Sequence, residues 1–173
     1  DSITEIFEAV RNTALIQKAG GGTGFAFDRL RPTGDRVASS GGTTSGPISF
    51  WCVIAETTNA IQQGAHRRGA NMGMMDVGHP DILKFIHAKQ DQMSFNNFNI
   101  SVKIPDSFMN NLRENPHAPH MVTNPRTQQR YAIPRIVNLH TYRIQDLKPF
   151  DELESDCFTV LDIWKMIVTN AHA

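Results

Sequence analysis

Residues 18–37 read KAGGGTGFAFDRLRPTGDRV, and this stretch decides how the first part of the chain folds. Three consecutive glycines follow a helical pattern, and the alternating small and aromatic residues of GTGFAF then predict a short strand. The stretch is not a Walker A loop, because Phe25 stands where that motif needs a lysine followed by serine or threonine. It is not a dinucleotide fingerprint either, because in that motif the glycines follow a strand and open a helix. The glycines therefore indicate a helix end at which the backbone comes close to another group.

The loop after the predicted strand carries three arginines, Arg29, Arg31 and Arg36. A guanidinium group matches two donors to two phosphate oxygens, so the loop is a candidate phosphate site. If the chain is extended there, Arg29 and Arg31 point to the same side. The alternative is a solvated loop whose charges bind nothing, and the residues alone leave both interpretations open.

Helices are predicted on both sides of this stretch. The first has a cap at Ser2 or Thr4, keeps a 3.6-residue apolar period and runs to about Lys18. The second begins at Pro47, whose missing N–H costs nothing in a first helical turn, and ends before Gly64.

Strands and a final helix are predicted further along the chain. The alternation in FNISVKIP, residues 98–105, predicts a strand that has Phe98 and Ile100 on one face. Residues 117–146 are predicted to form a hairpin excursion with a turn at TNPRTQQ, and Asp156 or Ser155 is the predicted cap of a last helix. Because helices and strands alternate, the predicted class is α/β.

A second unusual loop, residues 64–72, lies within QQGAHRRGANMG. Glycines give it freedom, amide side chains can bind a base edge, and Arg67 and Arg68 can meet phosphate or stack on a base. Two such loops, each after a predicted element, suggest two nucleotides or two halves of one. A surface turn with incidental arginines is the alternative.

Composition excludes several functions. The chain has 17 basic and 17 acidic residues, so its net charge favours neither nucleic acid nor a membrane surface. No apolar run approaches the ~20 residues that span a bilayer. Cys52 is predicted to be a buried core thiol and Cys157 to be structural, and so few cysteines fit a reducing, cytoplasmic location. His117 and His120 lie among prolines that prevent a helical metal pair, so we expect no metal site.

Five motifs, in this order and spacing, resemble the catalytic chain of ribonucleotide reductase, and more narrowly its adenosylcobalamin-dependent class. They are AGGGTGFAFDRLRPTGDRV, SGPISFW, QQGAHRRGANMG, HPDILKFIHAK and NNFNISVKIPDSFM. The resemblance is dense over residues 1–109 and looser beyond. The chain opens on a capped helix and closes on a helical pattern, so we expect residues 1–173 to be a single partial domain, a slice of a larger protein.

The resemblance implies a fold and an effector site. The family fold is a ten-stranded α/β barrel, of which this chain would form part of the first half. Residues 29–37 would help to hold a deoxynucleoside triphosphate effector, with Arg31 on its phosphates. The residues that the resemblance assigns to effector binding are Asp1, Ser2, Ile3, Arg29, Arg31 and Arg36.

The resemblance also implies a substrate site and a loop that passes the effector's identity to it. The backbone of Ala19, Gly20, Gly21 and Gly22 would approach the ribonucleotide substrate, and Arg67 would contact it. The loop of residues 64–72 would adjust to the base. Its assigned members are Gln63, Gly64, His66, Arg68, Gly69 and Asn71.

The family's catalytic cysteines are not matched by this chain. Its radical cysteine lies in an Asn-Pro-Cys-Gly-Glu motif that does not occur here, and neither Cys52 nor Cys157 matches its redox pair. No catalytic residue is therefore assigned. The resemblance implies thiyl-radical chemistry in the parent protein, with adenosylcobalamin as cofactor, a thioredoxin- or glutaredoxin-type reductant and a homodimer. A stand-alone regulatory module that binds nucleotides without catalysis is the alternative, and single-stranded RNA binding is a third.

Overall fold

The computed structural model describes residues 2–61, 70–90, 95–152 and 156–171. The helices are α1 Ile3–Lys18, α2 Pro47–Ile61, α3 Ile82–His87, α4 Asp106–Glu114 and α5 Val160–Ala171. The strands are β1 Thr23–Ala26, β2 Asn71–Asp76, β3 Phe98–Lys103, β4 Met121–Thr123, β5 Arg130–Ala132 and β6 Lys148–Pro149. Within these ranges, no helix combines the length and the apolar character that a membrane crossing requires.

A parallel sheet in the order β1-β2-β3 organises the first half of the chain, which confirms the α/β class. Gly24 of β1 is level with Met72 of β2, and Met72 is level with Asn99 of β3. Parallel neighbours need a crossover, and α2 and α3 lie in the two connections. The order of strands follows the order of the chain, so the sheet extends in one direction.

Aromatic side chains fill the core between this sheet and its helices. Trp51 of α2 is completely buried and stacks on Phe95, with ring centroids 3.8 Å apart. Phe85 and Phe98 lie 5.1 Å and 5.5 Å from the Trp51 ring. Aromatic pairs at such distances add to the stabilisation that burial itself gives. The aromatic cluster holds α2, α3 and β3 together.

The predicted burial of Cys52 is wrong, since its side chain is exposed. The buried face of α2 contains residues three and four positions apart, Trp51, Ile54, Ala55 and Thr58. Cys52 follows Trp51 by one position and therefore turns away from that face. Cys157 is buried, which is consistent with the structural role predicted for it.

Helices α1 and α2 pack side by side and run in the same direction. Ser2, which precedes α1, and Ser45, which precedes α2, line one cavity. At the other end, Gln17 Nε2 of α1 donates to Thr58 Oγ1 of α2 at 3.1 Å. With 16 residues, α1 is about 24 Å long at 1.5 Å per residue. The cavity and the C-terminal turn of α1 therefore lie at opposite ends of one rigid element.

Residues 117–146 contain the antiparallel hairpin β4–β5, and β6 pairs with β5 just beyond them. The cap of the last helix differs from the expectation. Asp162 N donates to Thr159 Oγ1 at 3.2 Å and Thr159 N donates to Asp162 Oδ2 at 2.8 Å, so Thr159 caps α5. Asp156 cannot do so because Cys157 is paired with Pro134 in a β-bridge, which keeps the chain extended there. Ser155 lies outside the described residues.

Candidate functional site

A cavity of about 570 Å³ lies at the N-terminal end of α1, within the ~300–1,000 Å³ range of small-molecule sites. The start of α1, the loop between β1 and α2, and the first turn of α2 form its walls. The lining residues are Ser2, Ile3, Ile6, Arg31, Val37, Ala38, Ser39, Ser40, Thr43, Thr44, Ser45 and Phe50. Hydroxyl groups and a guanidinium can donate to an anion, while the apolar side chains can pack against a flat ring. We call this space the effector cavity, after the role that the resemblance implies for Ser2, Ile3 and Arg31 in its lining.

The sequence Ser-Ile-Thr-Glu fixes the start of α1 at the edge of this cavity. Ser2 Oγ accepts from Glu5 N at 3.2 Å, and Glu5 Oε2 accepts from Ser2 N at 3.2 Å, which is a capping box. The reciprocal bonds hold Ser2 and Ile3 at the cavity wall. The positive end of the helix dipole at this position favours a bound anion.

The loop that forms the opposite wall, residues 31–45, folds back on itself. Thr44 N donates to Asp35 O at 2.9 Å, and Arg36 forms a β-bridge with Thr43. Arg31 Nη1 donates to Arg36 O at 3.0 Å. The guanidinium of Arg31 is thus supported by its own loop while it lines the effector cavity. We call residues 31–45 the effector loop, because they contain most of the stretch of residues 29–37 for which the resemblance implies effector binding.

Arg29 does not lie beside Arg31 at the effector cavity, although the sequence suggested that the two point to the same side. Leu30 N donates to Phe27 O at 3.1 Å, so a turn replaces the extended chain that the sequence suggested. Arg29 is exposed and lies within electrostatic range of Lys103 at the end of β3. It is not among the residues that line the effector cavity.

Arg36 faces a different space. It lines a second cavity, of about 550 Å³, which lies between the effector loop and the β4–β5 hairpin. Arg126 of the hairpin and Thr43 of the loop also line it. The paired stem of the loop therefore separates two cavities, and Arg31 belongs to the first and Arg36 to the second.

The glycines after α1 form a helix stop with a specific geometry. Gly20 has φ +84°, Gly20 N donates to Gln17 O at 2.9 Å, and Gly21 N donates to Ile16 O at 3.0 Å. These are the two bonds of a Schellman motif. A Cβ on Gly21 would lie 2.7 Å from Ile16 Cγ2. The helix stop alone accounts for these two glycines.

Gly22 has a different neighbour. A Cβ on Gly22 would lie 3.2 Å from the carbonyl oxygen of Ala70, and Thr23 N donates to that oxygen at 3.3 Å. Ala70 is the residue at which the chain re-enters the sheet after residues 62–69. The glycine turn therefore lies beside the C-terminal stem of the loop of residues 64–72. We call this loop the predicted specificity loop, because the resemblance implies that it passes the effector's identity to the substrate site.

Asn71 corrects the predicted end of that loop. It is the first residue of β2 and only 3% exposed, and its Nδ2 donates to Thr58 Oγ1 at 2.9 Å. Gln17 Nε2 donates to Asn71 Oδ1 at 2.7 Å. The side chain of Asn71 is thus committed to a buried polar cluster and is not available to a base. The other assigned residues of this segment, Gln63, Gly64, His66, Arg67, Arg68 and Gly69, lie outside the described residues, as does Asp1.

Sequence reasoning missed a buried ion pair behind the effector loop. Asp81 is 1% exposed and accepts from both Thr33 N and Thr33 Oγ1 at 2.9 Å, and from Lys84 Nζ at 3.2 Å. Burial lowers the pKa of Lys84, and the charge of Asp81 opposes that shift. The i, i+3 spacing of Asp81 and Lys84 in HPDILK was the available signal. The pair attaches the effector loop to the start of α3.

Buried histidines lie nearby without forming a metal site. His79 Nδ1 accepts from Asp81 N at 3.0 Å, so its Nε2 carries the proton that it donates to Leu30 O at 2.8 Å. His120 Nε2 lies 2.8 Å from Val77 O. Burial lowers the pKa of both imidazoles. Within the described ranges, no group of three or more His, Cys, Asp or Glu side chains could hold a metal ion.

Comparison with known proteins gives a consistent result. A family model described as "Ribonucleotide reductase, barrel domain" matches residues 1–172. A vitamin B12-dependent ribonucleoside-diphosphate reductase of Thermoplasma acidophilum is 49% identical over 130 residues, which are 75% of this chain and 17% of that protein. The protein of the same name from Mycobacterium tuberculosis is 46% identical over 128 residues, 73% of this chain and 18% of that protein. A ribonucleoside-diphosphate reductase large chain of Neurospora crassa is 31% identical over 121 residues, 66% of this chain and 13% of that protein.

Proposed function

Because the chain belongs to the ribonucleotide reductase family, we propose that the protein of which it forms part reduces ribonucleotides to deoxyribonucleotides. The chain spans 17% and 18% of the two vitamin B12-dependent relatives, so the activity of the whole protein extends beyond the residues described here. In this proposal the chain supplies the site for a deoxynucleoside triphosphate effector and part of the site for the ribonucleotide substrate.

The effector cavity is the observation that carries this proposal. Arg31, Ser2 and Ile3, which the family resemblance assigns to the effector, line one cavity although they lie on different elements. Arg31 would bind the phosphates, and the serine and threonine hydroxyls around it would donate further hydrogen bonds. The apolar walls at Val37 and Phe50 would contact the base or sugar.

The other end of α1 is where we place the substrate. The turn of residues 19–22 lies against Ala70, one residue after the segment that contains Arg67. Backbone at Gly22 has no side chain to keep a ligand away. Because α1 connects the two ends, an effector that biases the position of α1 or of the effector loop can alter the substrate site, and linkage requires the reverse effect to be equal.

The chemical step belongs to parts of the protein outside this chain. Partial burial raises the pKa of the Cys52 thiol, and the charge of Glu56 raises it further, so this thiol is not activated. Cys157 is buried. We propose that thiyl-radical chemistry uses adenosylcobalamin, as the names of the relatives suggest, and that a thioredoxin- or glutaredoxin-type protein supplies the electrons. No cobalamin contact is assigned to the described residues.

Two features of the fold suggest larger assemblies. Among the described strands, β1 and β3 are the edges of the parallel sheet, where further strands would complete a ten-stranded barrel. On α1, Ile3 is 61% exposed, Phe7 50% and Leu15 53%. Such an apolar face needs a cover. We propose that a second copy of the protein covers it, next to the effector cavity.

An activity assay of the full-length protein tests the reaction. We expect deoxyribonucleotide to form from ribonucleotide when adenosylcobalamin and a dithiol reductant are both present, and none to form when either is omitted. No deoxyribonucleotide under any of these conditions, with either di- or triphosphate substrates, would contradict the proposal.

A further inference from the structure

The β4–β5 hairpin holds the effector loop through one ion pair. Arg126, in the turn of the hairpin, donates from Nε to Asp35 Oδ2 at 2.8 Å and from Nη2 to Asp35 Oδ1 at 2.6 Å. A guanidinium and a carboxylate joined by two parallel bonds form a directional contact. The Asp35 side chain is 8% exposed and that of Arg126 is 41% exposed, so the carboxylate lies inside and the arginine closes over it.

The contact continues from Asp35 to the arginine in the effector cavity. Asp35 Oδ1 also accepts from Arg36 N at 2.9 Å, and Arg36 O accepts from Arg31 Nη1 at 3.0 Å. The backbone of Asp35 pairs with Thr44, another cavity residue. Fixing the carboxylate of Asp35 therefore restrains the backbone of Arg36, whose carbonyl oxygen accepts the hydrogen bond from the Arg31 guanidinium.

Two further hydrogen bonds join the excursion of residues 117–146 to the effector loop. Gln145 Nε2 donates to Gly34 O at 2.6 Å, and Ile144 N donates to Thr33 O at 2.9 Å. The hairpin turn is itself well held, because Arg126 N donates to Asn124 Oδ1 at 2.9 Å and Asn124 is 1% exposed. The excursion of residues 117–146 thus offers a rigid support to a loop that has few apolar contacts of its own.

We propose that Arg126 is a positioning residue, which holds the effector loop from the side opposite the effector cavity and so presents Arg31 to the phosphates of the effector. This inference rests on the proposed function and gives the hairpin a role in it. Arg126 does not line the effector cavity. The hydrogen bond from Arg126 also keeps the pKa of Asp35 below its ordinary value, so the pair is ionised throughout the neutral range.

The test uses the full-length protein and dATP or dTTP as the probe, with dissociation constants measured by isothermal titration calorimetry. Arg126→Gln removes the ion pair but leaves the charge of Asp35 unbalanced. The double variant Asp35→Asn with Arg126→Gln removes both charges and leaves the local net charge unchanged. We expect both to bind the effector roughly fivefold or more weakly. Arg126→Lys, which keeps the charge but not the two-pronged geometry, is expected to lie between them and the wild type.

Arg135→Gln is the matched control. Arg135 also bonds two carboxylate oxygens, of Asp156 and Asp162 at 2.8 Å and 2.6 Å, but these lie near α5 and away from the effector loop. We expect its effector affinity to equal that of the wild type. Thermal unfolding without nucleotide serves as the check that each variant is folded, and the shift of the substrate KM on adding effector is a readout that a merely structural role would not change.

The outcomes distinguish a failure of the role proposed for Arg126 from a failure of the effector site itself. Wild-type affinity in Arg126→Gln or in the double variant, together with weakened binding in Arg31→Ala, would overturn the role of Arg126 and leave the effector site intact. Equal losses of effector affinity in Arg126→Gln and Arg135→Gln would overturn the role of Arg126 as well, because the loss would then not depend on contact with the effector loop. If Arg31→Ala also binds like the wild type, the effector site itself is wrong.

Discussion

Gln17, the last residue but one of α1, donates a hydrogen bond of 2.7 Å from Nε2 to Oδ1 of Asn71, the first residue of β2. The same Nε2 lies 3.1 Å from Thr58 Oγ1, in the last turns of α2. Thr58 precedes the segment of residues 62–69 and Asn71 follows it. One amide of α1 therefore holds both stems of the predicted specificity loop, at the opposite end of the helix from the effector cavity.

Replacing Asn71 should destabilise this junction. Asn71→Ala removes one hydrogen bond from each of the buried groups of Gln17 and Thr58, and we expect the free energy of unfolding in urea to fall by about 1–3 kcal/mol. Asn99→Ala, at an exposed position level with Met72 on the neighbouring strand, is the control and should change it little. Equal effects of the two substitutions would show that the polar cluster does not stabilise the fold.

The glycine stop of α1 predicts a difference between two substitutions at one position. Gly20 has φ +84° and open space around its Cα, so Gly20→Ala suffers only the backbone strain, about 1–2 kcal/mol. Gly20→Asn should lose less stability than Gly20→Ala, because asparagine adopts a positive φ more readily than alanine does. Thermal unfolding of the two variants measures the difference, and equal losses would contradict the Schellman geometry.

The buried Asp81–Lys84 pair behind the effector loop predicts that replacing Lys84 lowers stability much more than replacing the exposed Lys103. Lys84→Met leaves the carboxylate of Asp81 buried without its cation, which should destabilise the fold by about 3 kcal/mol. Lys103→Met breaks the exposed pair with Asp28, and should change stability by at most about 1 kcal/mol. Urea unfolding compares the two, and a loss in Lys84→Met no larger than in Lys103→Met would contradict the account of this pair.

Buried histidines predict how stability depends on pH. Burial lowers the folded-state pKa of His120 below that of the unfolded chain, so below about pH 6.5 the unfolded state binds the proton more readily. The contribution of His120 is therefore present above that pH and is lost on acidification, by at most about 1.4 kcal/mol per pH unit. The stability gap between wild type and His120→Gln should narrow from pH 7 to pH 5. A gap for His120→Gln that stays constant from pH 7 to pH 5 would contradict the assignment.

The sequence was sufficient wherever the determinants of an element are local. Ser2 and Glu5 at capping-box spacing start α1, and the glycines stop it. Pro47 starts α2, and the alternation around Ile100 identifies β3. The resemblance of the ordered motifs identified the family, and the family match confirms it.

Sequence reasoning failed where distant parts of the chain decide. The predicted loop of residues 64–72 includes Asn71 and Met72, but pairing with β1 and β3 makes Asn71–Asp76 the central strand. The turn after Phe27 separates Arg29 from Arg31, and a residue-by-residue alternation cannot anticipate a turn. The Asp35–Arg126 pair spans 91 positions, and no local pattern predicts which carboxylate an arginine will meet.

The central claim is that Arg31 binds the phosphates of a nucleotide in the effector cavity. Calorimetric titration of the full-length protein with a deoxynucleoside triphosphate tests it most directly, with Arg31→Ala compared to Arg113→Ala. Arg113 is an exposed arginine on α4 that bonds Asn110. Losing a charge-assisted bond to phosphate should weaken binding about tenfold or more in Arg31→Ala, while Arg113→Ala binds like the wild type. Equal affinity of the two variants would contradict the claim.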